Sequence, residues 1–137
     1  SEGLDARLLA TSDQKVHFDL DLGESKAKFH KQPDAGATFP DSREGNPGGW
    51  IYVSNSEVDK KKGGVGALTF DKDGSLIDYQ IVLEKTSMNC GGGRTPWGTW
   101  ASCEEVEFDG QIYQVDSTGE RKPEIMTFGM VVSYTHL

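Results

Sequence analysis

The sequence predicts an all-β protein, and three observations carry that reading. Apolar and polar residues alternate over short stretches, as in "KVHFDLDLG", where Val16, Phe18, Leu20 and Leu22 recur at every second position. A period of two is the signature of a strand with one buried face. Turn chemistry punctuates these stretches, at "DKDG" (71–74), at Asp109-Gly110 and at "DSTG" (116–119). The third observation is a repeat: "VSNSEV" (53–58) returns as "ASCEEV" (101–106), and "ALTFDKDG" (67–74) as "IYQVDSTG" (112–119). A repeat of about 45 residues made of antiparallel strands matches one propeller blade, and a propeller closes with at least ~4 of them. The expected fold is therefore a partial β-propeller, about two blades, with an irregular N-terminal extension. A small β-sandwich is the alternative.

The elements follow in order. Residues 1–44 read as the N-terminal extension and loop, the start of a blade. They hold a short helical turn around Leu4 to Leu9, a strand over 15–23, and a long polar loop over 23–49 rich in Gly, Pro, Asp and Ser. Residues 45–137 hold the two blade repeats. "GGWIYVSNSEV" (48–58) is a strand, "DKKKGG" (59–64) a turn with a solvated lysine run, and "VGALTF" a strand. "DKDG" turns the chain into the return strand "SLIDYQIVL" (75–83). After the glycine-rich "NCGGGRTPWGTW" (89–100) come "TWASCEEVEF", "QIYQV" and a last short strand.

Composition narrows the function. The net charge of −8 argues against nucleic acid and anionic membranes as partners. It does not exclude cations, which clustered carboxylates attract. No stretch approaches the ~18 apolar residues of a membrane helix, and no signal peptide stands at Ser1. An apolar content of 35% is low for a self-contained domain, and a chain opening on Ser1 rather than Met reads as a piece of a longer one.

The repeat also places chemistry. Asn55 and Glu57 share one strand face, as do Cys103 and Glu105, because side chains alternate. If that strand is the innermost of each blade, Glu57 and Glu105 converge on a central channel. Carboxylates facing one channel repel unless a cation neutralises them. Oxygen ligands suit calcium; a nearby thiolate suits iron or zinc. Cys90 opens the triple-glycine run and has three readings: a metal thiolate, half of a disulfide with Cys103, or a buried thiol. Cys103 reads as a small packing residue. Glu104 and Glu105 point to opposite faces; the repeat selects Glu105 and leaves Glu104 solvated. Arg94 offers a planar fork for phosphate, but equally a partner for Glu104 or a solvated cation. Trp97 and Trp100 read as a rigid aromatic frame. "DKDG" is not a calcium loop, since the twelfth position is Val82 rather than Glu.

Three segments together resemble the PhoX-type alkaline phosphatase family: "NCGGGRTPWGTWASCEE" (89–105), "PGGWIYVSNSEV" (47–58) and "GQIYQVDSTGERKPE" (110–124). The resemblance implies a secreted or periplasmic six-bladed propeller that hydrolyses phosphate monoesters at iron and calcium ions in its central channel. It makes Cys90 an iron ligand and Glu105 a further ligand, and it adds Asn55 and Glu57 from the preceding blade. Ligands that the family draws from later blades have no counterpart, so the missing blades of the same chain are the expected partners and activity is expected only in a longer chain. The closing "MTFGMVVSYTHL" (126–137) departs from the family's pattern. The rival reading is a non-catalytic propeller for binding or scaffolding, which needs no metal.

Overall fold

A computed structural model describes residue 3 and residues 5–127. Most of the closing stretch, residues 128–137, lies outside the described residues. The chain begins with a small hairpin of β1 (Lys15–His17) and β2 (Glu24–Lys28). A four-stranded antiparallel sheet follows in chain order: β3 (Pro33–Pro40), β4 (Trp50–Ser56), β5 (Gly63–Phe70) and β6 (Leu76–Thr86). A second such sheet holds β7 (Asn89–Arg94), β8 (Trp100–Glu104), β9 (Ile112–Val115) and β10 (Glu124–Ile125). The protein is thus all-β, with no helix among the described residues and hence none able to cross a membrane.

The first sheet is buried on both faces, and alternation along its strands shows how. Ile51, Val53, Val65 and Ala67 point toward the second sheet and pack with Phe39, Trp100 and Val115. Leu68, Phe70, Leu76 and Tyr79 point the other way and pack with Val16 and Phe29 of the hairpin. Every residue of β5 is accordingly buried, as expected of a strand covered on both sides. Complete burial of a side chain such as Ile51 contributes roughly 1.5–3 kcal/mol.

Four expectations need correction. No helical turn forms over residues 5–9, and residue 4 lies outside the described residues. The strand over 15–23 breaks, because Leu20 and Asp21 adopt φ of 56° and 54° and Leu22 N–H bonds back to Asp19 O. That turn exposes Leu20 and Leu22. The long polar loop over 23–49 contains both β2 and β3. The glycine-rich stretch begins as a strand, β7, which lies against β3 of the first sheet. The outermost strands facing each other are therefore β3 and β7; β4 is second in its sheet, not first.

Candidate metal centre

The two sheets enter the site through matching backbone. On β3 the register runs Pro33↔Ser56 and then Gly36↔Ser54; on β7 it runs Asn89↔Glu104 and then Gly92↔Ser102. Each first strand spends one more residue than its partner over that interval, which is a β-bulge. Bulges re-aim side chains and concentrate near functional sites. The residue re-aimed in the first sheet is Asp34 and in the second Cys90. Just before each bulge stands a residue with positive φ, Gln32 at 47° and Met88 at 51°. Their carbonyls accept hydrogen bonds from Glu57 N–H (3.0 Å) and Glu105 N–H (2.8 Å). Each sheet thus delivers one re-aimed residue and one Glu, tied together at the same end of the strands.

These groups converge. One ligand atom each from Asp34, Glu57 and Cys90 lie within 4.8 Å of one another. Glu105 joins at the edge, hydrogen-bonded to Cys90 and placing its charge near Glu57. The cluster is open to solvent on one side, with Asp34 exposed and Glu57 and Cys90 half-buried. Burial first, and then the Asp34 carboxylate, push the Cys90 thiol up to about 12. Burial and the Asp34 charge likewise raise Glu57. Anionic groups held this close oppose each other's ionisation, and a multivalent cation reverses that balance outright. The donor set of carboxylate oxygens and one thiol fits a bound metal ion.

Behind the cluster lies a buried polar network. Asn55, fully buried, donates from Nδ2 to Cys90 O (2.8 Å) and Gly91 O (2.9 Å). Its Oδ1 accepts from Trp100 Nε1 (2.9 Å) and Ser102 Oγ (2.7 Å). Asn89 Nδ2 donates to Ser102 Oγ, and Thr86 Oγ1 donates to Asn89 Oδ1. Asn55 is expected among the ligands, but the structure does not bring it into the cluster. Both ends of its amide are engaged in bracing the backbone of Cys90.

The other singled-out residues fall elsewhere. Arg94 stands four positions along β7 from Cys90, about 13 Å at the rise of a strand. Its guanidinium lies 5.1 Å from the Phe39 ring centroid, a cation–π contact, so the geometry does not join it to the cluster. Glu104 is not solvated: it is 7% exposed and accepts from Ser87 N–H and Gln111 N–H. Both cysteines are free thiols, so the Cys90–Cys103 disulfide is not formed. Trp100 is buried, while Trp97 is 57% exposed. Asp34 escaped sequence reasoning. Its segment "PDAG" shares only the closing glycine with the equivalent "NCGG", and its polar, proline-containing surroundings read as loop.

An all-β frame whose two sheets each present a carboxylate-bearing strand end, with a thiol between them, defines a candidate metalloprotein. A family model described as alkaline phosphatase PhoX matches residues 28–135, and the chain belongs to that family. No curated protein and no solved structure gives a match.

Proposed function

We propose that this chain forms part of a metal-dependent phosphomonoesterase, and that its two four-stranded sheets are successive blades of a propeller completed by further blades. The observation that carries the reading is the pair of equivalent bulges that aim Asp34 and Cys90 at one point, beside Glu57 and Glu105. Family membership supplies the phosphatase class. The same repeat geometry supports the blades: Gly63 packs beneath Ser56 O and Val58 O, as Gly110 does beneath Glu104 O and Val106 O.

Asp34, Glu57, Cys90 and Glu105 would hold the metal, with iron at the thiolate and calcium among the carboxylates. Bound cations would neutralise the phosphate oxygens of a monoester substrate and the charge that develops on them. Cys90 must surrender its proton for this. Asn55 keeps the Cys90 backbone fixed while that happens. Nothing lies within 4 Å of where a side chain would begin on Gly91 or Gly93, so a phosphate group can approach past bare backbone. Export from the cytoplasm belongs to the same proposal, by kinship alone.

The test is phosphate release from p-nitrophenyl phosphate by the full-length protein, with metal content measured alongside. Cys90→Ser and Asp34→Asn are each expected to lose iron and at least about 100-fold in kcat/KM, since even an outer-shell change at a metal site costs 10–100-fold. Wild-type turnover in both variants would overturn the assignment. Absence of metal and turnover in the parent would favour a scaffold.

A further inference from the structure

A cavity of about 470 Å³ opens on the face of the first sheet away from the second. Its size is that of a small-molecule site. Ile81, 37% exposed, is an apolar side chain on its wall, which the backbone of Gly63, Gly64 and Leu83 continues. Around it stand Lys28, Lys31, Lys61, Lys62 and Lys85, against two carboxylates, Asp13 and Glu84. In a chain of net charge −8 this is a local reversal of sign. Asp13 accepts from both Lys28 and Lys31, at 3.4 and 3.3 Å. Lys85 approaches Glu84 only to 3.9 Å. Among the described residues Lys61 and Lys62 have no ion-pair partner.

The turn that carries them is unusual. Lys62 N–H bonds to Asp59 O across Lys60 and Lys61, whose φ values are 55° and 58°. Two successive left-handed residues make the hairpin turn that normally selects Asn-Gly. Strain of this kind collects at ligand clamps. Ser87 Oγ accepts from Lys61 N–H at 2.8 Å and pins the turn over the cavity.

We infer that this cavity binds a small organic anion, its charged group on Lys61 and Lys62 and its apolar body against Ile81 and the bare backbone of Gly63 and Gly64. The site stands apart from the metal cluster, because Ser56 and Val58 line it while the alternating Glu57 points to the other face. It does not rest on the phosphatase reading. The probe is 2-naphthalenesulfonate, which carries one anionic group on an aromatic body and cannot be hydrolysed as a phosphate ester. Calorimetric titration of the metal-free full-length protein should show saturable one-to-one binding. Lys61→Glu with Lys62→Glu should weaken it at least tenfold, and Ile81→Asp should do the same from the apolar side. Lys72→Glu, in a distant exposed turn, should leave affinity unchanged. Unchanged circular dichroism in each variant assigns the loss to binding rather than folding. No saturable binding, or equal affinity in the variants, would overturn the inference.

Discussion

Asn55 shows how one side chain makes the cluster possible. It satisfies two carbonyls and two donors at once with no exposure to water. Asn55→Leu keeps the volume but takes the donor from two part-buried carbonyls, Cys90 O and Gly91 O, and the acceptor from the buried Trp100 Nε1, while Ser102 Oγ keeps its bond from Asn89 Nδ2. Each unmet group costs about 1–3 kcal/mol, partly recovered by relaxation. The expected loss is therefore about 2–4 kcal/mol in urea denaturation, with lowered metal retention, because the Cys90 backbone is no longer fixed. A wild-type midpoint would show that the network is not load-sharing. The site was legible at this scale where residue type and repeat agreed: Cys90, Glu57 and Glu105 all reach the cluster. Asn55 sits beside them for a different reason, since alternation places a residue on a face but does not say whether its amide looks outward or at backbone. Asp34 was illegible because a bulge, not a side-chain pattern, aims it.

At the scale of the element, the triple glycine resolves into unequal members. A Cβ on Gly92 would meet Trp100 at 2.4 Å and Ala101 O at 2.5 Å; one on Gly91 or Gly93 would meet nothing within 4 Å. Gly36, at the matching bulge, would likewise meet Val53 O at 2.4 Å. The glycine that closes each bulge is therefore the one the packing demands. Gly92→Ala should destabilise by roughly 2 kcal/mol or more, through overpacking against a buried tryptophan and a backbone carbonyl. Gly93→Ala should fall within about 0.5 kcal/mol of wild type in the same denaturation series. Equal effects at the two positions would refute this division of labour. Strand boundaries followed the same logic. β4, β5 and β6 were readable because apolar alternation and the Asp71–Gly74 turn agree. β3 was not, because "PDAGATFP" exposes most of its side chains and holds the sheet by backbone bonds that leave no apolar period. β7 was hidden in the same way by its glycines.

For the molecule as a whole, the hairpin, the first sheet and the second sheet form three layers, and acid should act on the inner and outer layers differently. His30 is buried between the hairpin and the first sheet, with Nε2 2.8 Å from Ser54 Oγ and Nδ1 3.1 Å from Tyr79 Oη. Burial lowers its pKa from 6.5 to about 4. Between those values the unfolded chain binds a proton that the fold refuses, so stability is complete above about 6.5 and falls as pH drops toward 4. The interval corresponds to roughly 3 kcal/mol. Asp41 acts in a lower window. The Arg43 guanidinium bonded to it holds its pKa at about 2, so its contribution disappears only between 3.8 and about 2. Glu57 opposes both in the metal-free protein, because its raised pKa favours the fold as pH falls. Comparing His30→Gln with the parent isolates the first effect, since both keep the cluster. In urea titrations at pH 7, 5.5, 4.3, 3.5 and 3 the parent should lose stability more steeply than His30→Gln down to about pH 4, and the two slopes should become parallel below that, where only the carboxylates still titrate. Parallel slopes across the whole range would mean that His30 takes up its proton in the folded protein as readily as in the unfolded chain, and that the hairpin layer opens to water before the sheets do.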